Sequence, residues 1–292
     1  MAKSLVVTGA NSYLARMFIG YVAKKPKWHV CAVASHRGAS PPEPWGPRIK
    51  FIRADLTQAL PESIVEAASQ ADAIVQFAWT RDRRLDQACD LNRRMTDPLL
   101  ACASDPSIFR FISTVAATPT TRSVYGRSKF ELARYITERG GVAVACGLVK
   151  GDPPAGPYAL LSRCIKLLPL RIRFAGGGPL VYPIEIEQMC SRLAGSLDVK
   201  IVEGTYKLCE PPMPMNGFLE KIELLYPRLR VPMRIHVGTL MAMASLMSRL
   251  GTSAALLSDK VLTFFQKDDA YLASLPDLPR GSDCDVLAER GP

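Results

Sequence analysis

Tyr125 and Lys129 stand four residues apart in Tyr125-Gly126-Arg127-Ser128-Lys129, at the start of a helical stretch read over 128–139. Positions i and i+4 share one helix face. The ammonium of Lys129 then comes near the Tyr125 hydroxyl and favours its phenolate. A phenol with an ordinary pKa of about 10 can so serve as acid or base near neutral pH. Earlier in the chain, Ser113-Thr114 offers two hydroxyls, either of which could hold a substrate oxygen. A second group of residues sits at the N-terminus. The apolar run Ser4–Thr8 leads into Gly9-Ala10-Asn11-Ser12-Tyr13-Leu14-Ala15. A strand, a glycine turn and a helix start present free N–H groups and a partial positive charge to a pyrophosphate. Gly9 supplies the turn, and Asn11, Ser12, Tyr13 and Leu14 line it. Ser12 stands where a second glycine is usual, so its side chain either crowds the pyrophosphate or binds it.

The next strand ends Ala34-Ser35-His36-Arg37. An acidic residue about 20 positions after the turn ordinarily holds the ribose of NAD, and none stands here. The guanidinium of Arg37 suits a 2′-phosphate. The expected cofactor is therefore NADP rather than NAD.

The elements that must position these residues alternate. Strands are expected at 4–8, 30–35, 49–53, 73–77, up to 113, and 142–149. Helical stretches fall between them at 13–24, 61–69, 86–103 and 128–139. Continuous apolar runs suit strands buried on both faces of a parallel sheet. Strand–helix alternation at this spacing predicts an α/β chain, a doubly wound parallel sheet of the Rossmann kind. After residue 150 breakers accumulate, as in Gly176-Gly177-Gly178-Pro179 and Pro211-Pro212. The division expected is a cofactor domain over 1–150 and a smaller, mostly helical substrate domain over 151–276. Part of 179–208 is a candidate to return to the sheet, and 277–292 is a loose tail.

Of the 292 residues, 37 are Lys or Arg and 27 Asp or Glu, a formal net charge of +10. Such a balance fits nucleic acid, an anionic membrane or a phosphorylated small molecule. No nucleic-acid motif is present. The apolar-leaning stretch 233–257 carries Arg234, His236 and Arg249, too polar for a span of about 20 clean residues. The partner expected is a small anionic molecule, with neither nucleic acid nor membrane. Eight cysteines without a C-x-x-C pair, and three histidines, give no support for a metal site. They read as buried reduced thiols of a cytoplasmic protein. Two arginine clusters stand out: Arg81, Arg83 and Arg84 after the fourth strand, as candidates to meet substrate phosphate or carboxylate, and Arg228, Arg230 and Arg234.

These features in order resemble the short-chain dehydrogenase/reductase superfamily, in its extended or atypical members, which include sugar-nucleotide epimerases, dehydratases and reductases. The resemblance rests on Thr8-Gly9-x-x-Ser12-x-x-Ala15, Asp55-Leu56, Phe77-Ala78, Ser113-Thr114 and the Tyr125–Lys129 motif. It covers about residues 3–150. It implies Asp55 and Leu56 at the adenine, Ala78 in the cofactor groove, and Leu148 and Val149 beside the nicotinamide. It further implies Lys129 on the nicotinamide ribose, Thr114 as the hydroxyl at the substrate oxygen, and Asn92 supporting the site. The second arginine cluster resembles the diphosphate-binding arginine of the sugar-nucleotide enzymes. A homodimer through the Tyr–Lys helix is implied as well. Three features depart from the pattern. The loop from Thr114 to Tyr125 is short, Val115-Ala116 replaces the acidic pair of the dehydratases, which argues against sugar dehydration, and Cys146 and Lys150 replace the usual arginine and tyrosine around strand six. The function expected is NADP-dependent reduction of a carbonyl on an anionic substrate, a keto-sugar nucleotide, with a Tyr/Lys/Thr site. The alternatives are an epimerase with retained cofactor and a non-catalytic dinucleotide-binding scaffold.

Overall fold

The computed structural model describes residues 2–35, 46–80, 82, 84–247 and 252–279. Arg37, Arg81 and Arg83 lie outside the described residues. In chain order, β1 (Lys3–Thr8) leads into α1 (Tyr13–Ala23), β2 (Trp28–Ala34), β3 (Ile49–Arg53), α2 (Glu62–Ser69) and β4 (Ala73–Gln76). There follow α3 (Leu85–Cys102), β5 (Phe109–Thr114), α4 (Val124–Thr137) and β6 (Val142–Cys146). Beyond Gly147 come β7 (Leu148–Lys150), α5 (Gly156–Leu167), β8 (Leu170–Phe174), β9 (Leu180–Val181), β10 (Pro183–Glu185) and α6 (Ile186–Ser196). The chain continues through β11 (Gly204–Leu208), β12 (Met213–Pro214), α7 (Met215–Leu224), β13 (Val231–Ile235), α8 (Val237–Met247), α9 (Thr252–Phe265) and α10 (Asp269–Ser274).

Seven strands form the central sheet in the order β11-β6-β5-β4-β1-β2-β3, all parallel. This is the Rossmann-type α/β architecture expected from the alternation of elements. Strand residues alternate between two cores. Leu5 and Val7 of β1 join Phe18 and Ile19 of α1 and Met189 and Leu193 of α6. Val6 faces the other way, among Ile64 of α2, Leu99 of α3 and Leu132 of α4. The order of strands reverses between β1 and β4, and a crevice opens outside the carboxyl ends at such a point.

The run 142–149, which reads as one strand, is broken at Gly147. A Cβ there would strike the Tyr182 carbonyl, so only glycine lets β10 approach. The C-terminal half also holds three short strand pairs, β7 with β10, β9 with β12, and β8 with β13. Isolated strands of two to five residues are marginal on their own, and each is stabilised by a distant partner that local pattern does not reveal. Of the tail expected over 277–292, Leu278 is buried and its N–H donates to the Lys207 carbonyl, and 280–292 lie outside the described residues.

Candidate active site

Gly9 ends β1 with φ +73°, and a Cβ there would come 2.5 Å from the Ala78 nitrogen. The turn therefore lies directly against the exit of β4, at the switch point of the sheet. Ser12 is the N-cap of α1, and its Oγ accepts the Ala15 N–H at 3.3 Å. The hydroxyl at the position where a second glycine is usual therefore caps the helix. The amides of Tyr13 and Leu14 belong to the same first turn and have no acceptor within the helix. The Asn11 side chain donates to the Ser35 carbonyl and ties the turn to the exit of β2. Tyr13 donates to the Pro153 carbonyl at 3.1 Å and lies against Gly151. Burial, with Cys190 and Asp152 nearby, raises its pKa.

Asp55 accepts from the amide and hydroxyl of Thr57 in a local turn after β3, with Leu56 buried behind it. Ala78 is half-buried under Gly9. Asn92 is fully buried and clamps the loop after β4. It accepts the Thr80 N–H at 2.9 Å and donates to the Thr80 carbonyl at 2.8 Å. Leu148 and Val149 lie in β7, paired with β10.

The helix bearing the Tyr–Lys motif begins at Ser123, whose hydroxyl caps it by accepting the Gly126 N–H at 2.8 Å. Gly126 is required by contact: a Cβ would meet the Ala116 carbonyl at 2.6 Å. The short loop before the helix thus packs directly onto it. Lys129 is buried and donates to the Ile112 carbonyl of β5 at 2.6 Å. Its ammonium also lies 4.8 Å from the Trp79 ring, 4.9 Å from Phe111 and 5.7 Å from Tyr125. Trp79 and Tyr125 meet edge to face at 6.1 Å. The structure therefore brings Tyr125 and Lys129 together and adds Trp79, which the sequence reading missed. Its position directly after Ala78 was the available signal. The Trp79 indole nitrogen and the Thr8 hydroxyl are buried with no hydrogen-bond partner among the described residues. Both stand at strand exits that flank the crevice.

Thr114 is the last residue of β5, half-buried, and its Oγ accepts the Ala116 N–H at 3.3 Å. A hydroxyl that accepts still has its own proton to donate. Ser113 points the other way, beneath α4, into a cavity of about 200 Å³ lined by Phe130, Ala133 and Tyr271. Successive strand residues face opposite sides, so the two hydroxyls do not converge.

The loop before α4 is held from the C-terminal half. Asp259 of α9 accepts the Val124 N–H at 2.7 Å, Gln266 accepts the Arg122 N–H, and Thr120 donates to Asp268. Asp259 was also missed from sequence, although it is the first acid after Glu223. Of the arginine clusters, Arg84 is exposed and pairs with Asp86. Arg228 and Arg230 donate to the Lys166 and Ile165 carbonyls at the C-terminal end of α5, so both serve to cap a helix. Lys150 pairs with Glu185 at 2.8 Å and Glu210 at 3.4 Å. Burial lowers its pKa, but these carboxylates outweigh it and the net direction is up. Seven described cysteines are free thiols. Burial pushes Cys146 and Cys190 up to about 12 and Cys209 to about 11. Among the described residues no cluster could hold a metal ion.

These features define a class: doubly wound α/β chains with a glycine turn at the switch point and a Tyr–Lys helix beside it. Solved structures of similar fold include gox2253, at TM-score 0.65 and 16% identity over 98% of this chain and 97% of that one. A second is the terminal R domain of the myxalamid PKS-NRPS pathway, at TM-score 0.65 and 15% identity over 99% and 86%. A third is UDP-glucose 4-epimerase of Thermotoga maritima with UDP-glucose, at TM-score 0.61 and 13% identity over 79% and 85%. No protein-family model and no curated protein matches the chain.

Proposed function

We propose that the protein is an NADP-dependent oxidoreductase of the extended or atypical short-chain dehydrogenase/reductase type. It reduces a carbonyl on an anionic substrate, a keto-sugar nucleotide. The observation that carries this reading is the convergence of Tyr125, Lys129 and Trp79 at the carboxyl ends of β4 and β5, beside the Gly9 turn. The dinucleotide fits at the phosphate end, where Gly9 leaves no room for a Cβ and α1 offers its first-turn amides. The first acidic residue of the chain is Glu43, so no carboxylate precedes Arg37 to oppose a 2′-phosphate.

When bound, the nicotinamide supplies the hydride. The Tyr125 hydroxyl donates the proton to the substrate oxygen. Lys129, held by Ile112, keeps a positive charge on the Tyr125 side of α4 and stabilises the phenolate left behind. The free proton of the Thr114 hydroxyl orients the same oxygen. The Trp79 ring walls the site and limits water.

Titration with NADPH, followed by nicotinamide fluorescence, tests the first half. Binding in the micromolar range is expected, and no binding at high micromolar cofactor overturns the reading. Turnover on keto-sugar nucleotides tests the second half. NADPH oxidation lost on Tyr125→Phe with binding kept supports it, whereas substrate conversion without net NADPH loss assigns an epimerase. A second reading is a non-catalytic dinucleotide-binding scaffold, which the engagement of Lys129 by a strand carbonyl and three rings favours. Tight NADPH binding with no turnover, unchanged by Tyr125→Phe, would establish it.

A further inference from the structure

We propose that the face formed by the C-terminal end of α5, the α7–β13 connection and β13 docks on an anionic lipid bilayer. The first observation is where the charge lies. Residues 153–184 and 224–258 contain eight Arg and Lys and no Asp or Glu, whereas the rest of the chain holds 29 cations against 27 acids. Eight of the ten net charges therefore fall in these two stretches. The fold brings 163–174 and 228–235 together, and with them seven of the eight cations; Arg249 lies outside the described residues. β8 and β13 pair in parallel, the Val231 N–H donates to the Pro169 carbonyl, and Arg228 donates to the Lys166 carbonyl.

The second observation is what surrounds these cations. Leu229 is 97% exposed, Leu224 80%, Leu167 64% and Val231 63%, with Leu168, Leu225 and Met233 exposed beside them. Single exposed leucines are ordinary, but a contiguous group of this kind marks an interaction surface. The carboxylates nearest the face, Glu220 and Glu223 of α7, are committed to Arg171 and Arg173. Arg163, Lys166, Arg228 and Arg234 remain exposed.

A second copy of this chain would bring like charges together on the same face, so self-association is opposed. Exposed leucines interleaved with cations suit the interface of an anionic membrane. The cations meet lipid phosphates there, and the apolar side chains enter the boundary between headgroups and acyl chains. No described helix is long and apolar enough to cross a membrane, so the contact lies in the plane of the surface. The proposal departs from the expectation of no membrane partner, which was drawn from the lack of a span or anchor. The inference stands independently of the catalytic reading.

The test is sedimentation of the full chain with vesicles of phosphatidylcholine containing about a third phosphatidylglycerol, against phosphatidylcholine alone. Partitioning at least roughly tenfold higher on the anionic vesicles is expected, and it should fall away at about 0.5 M salt. Leu167→Ser with Leu229→Ser, which leaves the charge unchanged, should reduce binding roughly tenfold. Val65→Asp with Val202→Asp, at exposed positions outside this face, should leave most of it. Unchanged unfolding temperatures confirm that each variant folds. Equal partitioning on neutral vesicles, or full binding by the serine variant, overturns the proposal. So does a concentration-dependent dimer that the serine variant dissolves, which would assign the face to a second copy.

Discussion

Replacing Lys129 with methionine keeps the length and apolar stem of the side chain but removes the ammonium. In the native protein that ammonium donates to the Ile112 carbonyl at 2.6 Å and lies within 5 Å of the Trp79 and Phe111 rings. A hydrogen bond from a charged donor contributes about 1.5–3 kcal/mol. Cation–π contact adds about 0.5–2 kcal/mol where the charge is desolvated, as it is for a residue only 6% exposed. Against this stands the cost of burying the charge, which methionine removes. The expected net loss is about 2 kcal/mol, a fall in unfolding temperature of roughly 3 °C for a chain of 292 residues. Thermal unfolding of Lys129→Met, Trp79→Leu and the double variant forms a cycle that isolates the pair. The coupling expected is about 1 kcal/mol. If Lys129→Met unfolds within a degree of the parent, or the cycle closes without coupling, then the ammonium is not anchored as described. The argument that it holds charge beside Tyr125 would fall with it.

Gly9→Ala forces a Cβ to 2.5 Å from the Ala78 nitrogen at φ +73°. The backbone conformation costs about 1–2 kcal/mol and the overlap about 1–3 kcal/mol; both lost stability and lost NADPH binding are expected. Asp259→Ala removes the acceptor of the Val124 N–H and a negative charge at the N-terminus of α4. A loss of about 1–2 kcal/mol is expected by chemical denaturation, with turnover falling more than NADPH affinity. Burial pulls Lys267 down to about 8. The folded chain then holds fewer protons than the unfolded chain between about 8 and 10.4, so this group adds stability as pH rises through that window. Lys267→Met should lack that rise, and the difference between the two pH profiles is the measurement. Cys146 and Cys190, pushed up to about 12, should resist alkylation at pH 8 in the native state and react on unfolding.

The first half of the fold was legible because its strands, apart from β3 at the sheet edge, are buried on both faces and so read as short apolar runs between helical stretches. The Gly9 turn and the Tyr125–Lys129 pair were legible because each is a local pattern, fixed by a tight turn or by one helical turn. Trp79 carried no such pattern. An aromatic residue after a strand is usually core, and only the folded chain shows its ring against Tyr125 and Lys129. Ser12 left two readings open in sequence, crowding the pyrophosphate or binding it, and the helix cap that its hydroxyl makes is a third role that neither named. Ser113 and Thr114 were equivalent by residue type, the resemblance alone preferring Thr114, and the pleat sends the two hydroxyls to opposite faces. The short strands of the C-terminal half were hidden for the same reason as Asp259, whose contact joins residues far apart in sequence.

That last contact also bears on how a trimmed loop can position the start of α4 and the proposed proton donor on it. The segment from Val115 to Ser123 is too short to form a covering structure of its own, and Gly126 packs straight against its Ala116 carbonyl. Three polar groups at and just before the start of α4 are taken up by the far end of the chain, the Val124 N–H by Asp259, the Arg122 N–H by Gln266 and the Thr120 hydroxyl by Asp268, while the buried Thr118 and Thr121 hydroxyls have no hydrogen-bond partner among the described residues. Phe130 of α4 packs on Tyr271 of α10 at 6.0 Å, and Tyr182 donates to Asp269. Both helices therefore fix the entry angle of α4 and, with it, the direction of Tyr125. Polar groups that would go unsatisfied in a buried short loop are costly. Supplying their partners from α9 and α10 allows the loop to be short without leaving the helix start free. On this argument the C-terminal elements position the proposed active site, even though Asp259, Gln266 and Asp268 need never touch a substrate.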